Sequence, residues 1–182
     1  MSDNLYDIPV TTIDGRATTL REQAGKVLLI VNVASKCGLT PQYAALERLH
    51  ETHGDRDFAV LGFPANDFAG QEPGDEAEIK AFCTSTYGVR FPMYAKIRVT
   101  GPEKHALYRH LTTAAPDAAG REAMAASLRG HGIEPAARPE VLWNFEKFLV
   151  DRHGRVVGRF APDTAPDAPA LLSAIEAEVA KA

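Results

Sequence analysis

The chain contains only two cysteines, Cys37 and Cys83, and the first stands where thiol chemistry is easiest. It follows the apolar run Val27-Leu28-Leu29-Ile30-Val31-Asn32-Val33 and precedes Gly38-Leu39-Thr40-Pro41, the pattern of a strand end, a tight turn and a helix start. A thiol at a helix N-terminus faces unpaired backbone N–H groups and the positive end of the dipole, and both favour the nucleophilic thiolate. Cys37 is therefore expected to be a redox or nucleophilic residue rather than a structural one. Gly38, Leu39 and Thr40 follow it, so there is no Cys-x-x-Cys pair. A lone cysteine of this kind forms no local disulfide and must react with something else first.

The elements that hold Cys37 follow from the residue pattern. Residues 5–20 read as a short hairpin, because Tyr6, Ile8 and Val10 alternate with polar neighbours and Asp14-Gly15 is a turn dipeptide. Residues 27–34 have the character of a strand buried on both faces. Thr40 is expected to cap a helix with Pro41 at its first position, running through Tyr43, Leu46 and Leu49 towards Gly54. Phe58 to Phe63 is a second apolar strand, ended by Pro64. A helix over about Asp75 to Tyr87 carries Ile79, Phe82 and Cys83 on one face and stops at Gly88. Met93 to Val99 reads as a short strand, and residues 103–113 as a helix with Leu107 and Leu111.

Residues 114–139, rich in Ala, Pro and Gly with weak periodicity, read as an insertion that is partly helical around Glu122 to Leu128. Phe145 to Val150 and Arg155 to Phe160 form a hairpin over Asp151-Arg152-His153-Gly154. The last helix starts near Asp167 and carries Leu171, Leu172, Ile175 and Val179. No repeat is visible. The order β-α-β-α-β-α-ββ-α predicts one α/β domain of three layers over residues 1–182.

A hydrophobic share of 45% and a charged share of 24% fit a globular protein, and 182 residues suffice for a substantial core. The net charge of -4 and the absence of a basic run give no reason to expect nucleic acid or an anionic membrane as partner. Met1 to Asp7 is polar and acidic without a signal pattern, and the run from Val27 to Val33 is too short to span a bilayer. These features predict a cytoplasmic location, where two cysteines are more often reactive or simply buried than joined permanently.

A strand, a cysteine at a helix start, then a further strand and helix is the plan of the thioredoxin-like fold. Three words sharpen it: Val31-Asn32-Val33-Ala34-Ser35-Lys36-Cys37-Gly38, Gly62-Phe63-Pro64-Ala65-Asn66-Asp67-Phe68-Ala69-Gly70-Gln71-Glu72-Pro73 and Trp143-Asn144-Phe145-Glu146-Lys147-Phe148. Together, in this order and across most of the chain, they resemble the glutathione peroxidase family. The resemblance implies a thioredoxin-like three-layer α/β fold with a central mixed sheet, an N-terminal hairpin and an insertion before the last hairpin. It also implies a thiol peroxidase acting on hydrogen peroxide and organic hydroperoxides.

By the same resemblance Cys37 takes the place of the peroxidatic cysteine or selenocysteine, and Gln71, Trp143 and Asn144 fall on the matching positions of the active-site tetrad. These residue types suit the chemistry. Thiolate attack on an O–O bond needs the departing oxygen stabilised and protonated. The Gln71 and Asn144 amides and the Trp143 indole donate N–H without adding charge. No obvious general acid lies within the three words. Cys83 falls where many cysteine-containing, thioredoxin-recycled members carry a resolving cysteine. The resemblance therefore implies a transient Cys37–Cys83 disulfide, formed from a Cys37 sulfenic acid and reduced by thioredoxin. Joining the two sulfurs would need the helix around Cys83 to open locally. Many relatives carry a cysteine after the Phe-Pro pair, where this chain has Ala65. No cofactor and no metal is expected.

Plainer readings stand beside these. Cys83 shares its helical face with Ile79 and Phe82, as a core thiol would. Trp143 alone would be a core aromatic, and Gln71 alone a polar loop residue. His50, His53, His105, His110, His131 and His153 all read as surface residues, and no His-Glu-x-x-His word or cysteine cluster suggests a metal. Two functional alternatives use the same residues: direct recycling of Cys37 by glutathione, and a redox sensor or relay that hands its disulfide to a partner protein. A homo-oligomer is open as well, since segments near 114–139 contribute to subunit contacts in some members.

Overall fold

The computed structural model describes residues 4–181; Met1-Ser2-Asp3 of the polar start and Ala182 lie outside the described residues. Strands β1 (Pro9–Thr11) and β2 (Ala17–Thr19) pair as a small antiparallel hairpin. The main sheet consists of β3 (Val27–Val33), β4 (Phe58–Pro64), β5 (Lys147–Val150) and β6 (Val156–Phe160), in the order β4-β3-β5-β6. β3 runs parallel to β4, from Val27 opposite Phe58 to Val33 opposite Pro64. It runs antiparallel to β5, from Leu28 opposite Val150 to Val31 opposite Lys147. The sheet is thus mixed, and β3, which leads to Cys37, is central.

Successive side chains of a strand point to opposite faces. Val27, Leu29, Val31 and Val33 accordingly join one core cluster, while Leu28 and Ile30 join another. Helices α1 (Gln42–His53) and α2 (Glu76–Tyr87) cover the first face with Leu46, Leu49 and Ile79. The second is covered by the hairpin's Val10 and by Leu107, Tyr108 and Leu111 of α3 (Ala106–Ala114). The insertion contributes α4 (Arg121–Gly130), whose Met124, Ala125 and Leu128 pack on Leu142 and Ala161 in a third, smaller cluster. Helix α5 (Pro169–Val179) returns to the first face through Leu171, Ile175 and Val179. This is a thioredoxin-like three-layer α/β fold.

Helix α2 follows its sequence signals closely. The Asp75 side chain accepts from the Glu78 N–H, and Gly88, at φ 61°, donates back to the Cys83 and Thr84 carbonyls. A left-handed residue at that position favours glycine and satisfies carbonyls that a helix end leaves open.

Other expectations are corrected. Met93 to Val99 is not a strand: it makes single bridges, Met93 with Gly62 and Tyr94 with Thr12. Pro92 and Pro64 flank the contact and supply no N–H, so a ladder cannot extend through either residue. The segment still covers the edge of β4, and a Cβ on Gly62 would lie 2.5 Å from the Met93 sulfur. Leu5–Asp7 forms a 3-10 turn, which leaves the hairpin to β1 and β2. His53 is not a surface residue. It is buried, with Nε2 2.6 Å from Glu176 Oε1 on α5 and Nδ1 3.1 Å from the Leu49 carbonyl oxygen. His50 and His105 are half-buried, the first accepting from the Val60 N–H and the second from the Leu107 N–H.

Candidate active site

The loop that carries Cys37 is closed by its neighbour Thr40. Helix α1 begins at Gln42, five positions beyond Cys37, so the thiol sits in a run of tight turns before the helix rather than on its first turn. Thr40 does not cap α1. Its Oγ1 accepts from the Cys37 N–H at 3.0 Å and donates to the Ala34 carbonyl at 2.8 Å. A buried N–H must find an acceptor, and the Thr40 hydroxyl is the one available inside this turn. The Thr40 N–H closes on the Cys37 carbonyl at 3.0 Å, and the Leu39 N–H points at Cys37 Sγ at 3.3 Å.

The segment between β4 and α2 brings Gln71 to the same place. Ala69 and Gly70 are both left-handed, at φ 55° and 61°, and they turn the chain so that Gln71 N–H meets the Phe68 carbonyl. The Lys36 N–H then donates to the Gln71 carbonyl at 3.0 Å, tying this loop to the residue before Cys37. Asn144 is fully buried, and its Nδ2 donates to Gln71 Oε1 at 2.9 Å. With its oxygen engaged, the Gln71 amide keeps two N–H donors for a ligand.

Trp143 and Asn144 are positioned by a residue the sequence reading passed over. Asn32, buried at 0% exposure in β3, donates from Nδ2 to the Trp143 carbonyl at 3.1 Å. Its own carbonyl accepts from the Phe145 N–H at 2.6 Å. Phe145 holds φ 71°, a left-handed conformation that costs a non-glycine residue about 1 kcal/mol or more. The Asn32 bonds and the complete burial of Phe145 oppose that cost. A signal was present: a single amide inside an otherwise apolar strand has to be hydrogen-bonded, and so marks a structural partner.

Cys37, Gln71 and Trp143 line one cavity of about 390 Å³, which α4 closes on its far side. Trp143 packs against all three core clusters, and its ring lies 5.3 Å from that of Phe68. Asn144 stands behind Gln71 rather than in the cavity wall. Cys83 is not on this wall. It is 1% exposed on α2, its thiol is free, and burial pushes its pKa up to about 11. The Tyr43 hydroxyl beside it works in the opposite direction, and the Glu72 carboxylate in the same one. A second hollow, of about 320 Å³, separates Ser35 and Lys36 from the α2 residues Ile79 and Phe82.

Lys147 lies buried in β5, three positions beyond Asn144. Its Nζ donates to the Pro162 carbonyl at 2.9 Å, and burial pushes its ammonium down to about 7. The neighbouring Glu146 and Arg159 form an ion pair that is wholly buried, with Nε 2.6 Å from the carboxylate.

The sequence matches the glutathione peroxidase family over residues 5–112, more than half of the chain. The chain belongs to that family. It is 50% identical to the thioredoxin/glutathione peroxidase BtuE of Escherichia coli (strain K12), with the full length of both chains covered. It is 47% identical to the hydroperoxy fatty acid reductase gpx1 of Synechocystis sp., over 91% of each chain. The crystal structure of Trgpx in its apo form matches the fold with a TM-score of 0.69 at 33% identity, covering 97% of this chain and 95% of that one. This member of the glutathione peroxidase family is an oxidoreductase, a thiol peroxidase that uses a thiol-type reductant. Among its described residues no helix is long and apolar enough to cross a membrane.

Proposed function

We propose that Cys37 is the peroxidatic residue, that Gln71 and Trp143 are the donors beside it with Asn144 completing the set by holding the Gln71 amide, and that Cys83 resolves the intermediate for thioredoxin. The Cys37 thiolate attacks one oxygen of R–O–O–H or H–O–O–H. An S–O bond forms, the O–O bond breaks, and the departing oxygen takes up a proton to leave as alcohol or water. Cys37 is then a sulfenic acid. The Cys83 sulfur displaces its hydroxyl, which leaves as water with the Cys83 proton, and a disulfide remains. A thioredoxin dithiol reduces that disulfide by exchange and is itself oxidised.

The observation that carries this reading is the cavity whose wall contains Cys37, Gln71 and Trp143, with Asn144 fixing the Gln71 amide from behind. Uncharged N–H donors aimed at a desolvated site stabilise developing negative charge without reorganising during the reaction. Resolution by Cys83 requires α2 to open, since the thiol is buried in that helix and does not line the cavity that Cys37 faces. The burial of Cys83 favours a second reading, in which glutathione reduces the Cys37 sulfenic acid directly.

NADPH oxidation separates the two, with thioredoxin and its reductase in one assay and glutathione and its reductase in the other. Fast turnover with thioredoxin that disappears in Cys83→Ser supports the two-cysteine scheme. Undiminished turnover of Cys83→Ser with glutathione would overturn it. Slow turnover with both, together with stoichiometric oxidation, would point to a redox relay. The reading further takes residues 1–182 as one domain, supported by the core residues that β5, β6 and α5 share with β3 and β4. A cytoplasmic location accords with two free thiols.

A further inference from the structure

The cavity in front of Cys37 is far larger than hydrogen peroxide needs. A water molecule occupies about 30 Å³ in the liquid, so a molecule of two oxygens needs roughly 60 Å³, against a cavity of about 390 Å³. The remaining space is not polar in character. Cys37 and the amide donor of Gln71 stand on one wall, while α4 and the turn after it present Met124, Leu128 and Ile133 on the other. Met124 and Leu128 are 6% and 5% exposed, and Ile133 is half-buried against the same cluster as Trp143. His131 and Asp163, both exposed, mark the open rim.

This wall is anchored, not draped over the site. The Arg121 guanidinium, buried at the start of α4, donates to the Glu140 carbonyl at 3.0 Å and the Ala136 carbonyl at 2.7 Å. Arg159 reaches from β6 to the carbonyls of Ala115, Pro139 and Glu140 at 2.8, 2.9 and 3.1 Å while paired with Glu146. Two buried guanidiniums thus hold both ends of the insertion by its backbone. A pre-formed apolar wall binds a ligand without an ordering cost at the moment of binding.

We propose that the α4 wall is a binding subsite for the organic group of a hydroperoxide, with Met124, Leu128, Ile133 and Trp143 as its apolar contacts and Cys37 at its polar end. The subsite rests on the peroxidase reading above and adds a preference to it: hydroperoxides with a compact apolar group react faster than hydrogen peroxide. Each methylene buried against this wall raises kcat/KM by about fourfold, and a side chain that fills or charges the wall removes that gain.

The test measures the bimolecular rate constant for oxidation of the reduced protein, with no reductant present, by hydrogen peroxide and by cumene hydroperoxide. Residual thiol is titrated after rapid quenching. Two variants are compared with the wild type. Ile133→Asp places a charge on the half-buried part of the wall, and Ser127→Trp fills the cavity from an exposed position whose replacement does not disturb the core. In both, the ratio of the cumene hydroperoxide constant to the hydrogen peroxide constant is expected to fall at least tenfold. A ratio within twofold of wild type in Ser127→Trp would overturn the subsite, and so would an equal fall for both peroxides. A wall that served to dock the protein reductant would leave both constants unchanged, which again overturns it. A wild type inert to both peroxides would refute the Cys37 peroxidase reading itself, and the subsite with it.

Discussion

Cys83 should be the slow thiol of this protein, and the delay can be worked out from its surroundings. In Cys37→Ser it is the only thiol left. Burial pushes its pKa up to about 11, so at pH 8 roughly 0.1% of it is ionised, whereas an exposed cysteine of pKa about 8.5 is roughly one quarter ionised. Only the thiolate alkylates. Ionisation alone therefore slows iodoacetamide about 250-fold relative to the same protein unfolded in urea, before any steric exclusion at 1% exposure is added. The rate constant should climb about tenfold per pH unit and continue past pH 9, where the unfolded control has levelled. Labelling can be followed by mass spectrometry from pH 7 to 10. A folded-state rate within tenfold of the unfolded control at pH 8 would refute the reasoning. It would mean that α2 opens freely and that the burial of Cys83 sets no barrier to resolution. The predicted delay, by contrast, requires any Cys37–Cys83 disulfide to form through an opened α2.

Three further outcomes follow from the same geometry. Gln71→Ala should lower the rate constant for Cys37 oxidation by about 10²- to 10³-fold, as loss of one pre-positioned donor does, and Asn144→Ala should lose much of the same factor by releasing Gln71; constants within threefold of wild type for both would remove the pair from the site. Glu146→Ala leaves the Arg159 charge buried without its carboxylate and should cost about 3–5 kcal/mol of stability in urea unfolding, with the insertion loosening first because Arg159 also holds its backbone. Lys147 has the opposite pH signature to Cys83. Its folded pKa of about 7 lies below the ordinary 10.5, so between those values the unfolded state binds more protons and stability rises with pH. Lys147→Met should be more stable than wild type near pH 7 and should flatten the rise in urea midpoint between pH 7 and pH 10; an unchanged slope would show that the ammonium is not held in a dry site.

The raised Cys83 pKa carries a stability signature of its own. The native state keeps its proton above the pH at which the unfolded chain loses it, so the contribution is complete below about pH 8.5 and is lost as pH rises through about 11. Comparison of wild type with Cys83→Ala over this window reads Cys83 together with Tyr43, whose hydroxyl lies beside it and whose pKa Cys83 helps to raise. Tyr94, which burial pushes up to about 12, titrates later in the same direction.

Local chemistry was written in the sequence wherever one residue type decides one feature. The apolar runs at 27–33 and 58–63 could only be buried strands, Asp75 and Gly88 bracket α2 as a cap and a left-handed stop, and the three sequence words around Cys37, Gln71 and Trp143 marked a peroxidase. The strands and the helix ends are effects of covalent geometry and side-chain type, which act within a few residues; the three words speak only through their likeness to the glutathione peroxidase family. What the sequence left undecided is which partner folding brings to a polar group, whether that partner is near or far in the chain. Thr40 reads as a helix cap, yet its hydroxyl goes to Cys37 and Ala34 because folding buries an N–H there. Met93 to Val99 has strand composition, but Pro92 just before it and Pro64 across from it supply no N–H to extend a ladder. The ends of the 114–139 segment are held by two arginines that donate to its carbonyls, and backbone carbonyls have no sequence signature. Asn32 shows both halves at once: its presence in an apolar strand announces a buried partner, and only the packing of β3 against residues 143–145, more than a hundred positions away, decides that the partner is the backbone on either side of Asn144.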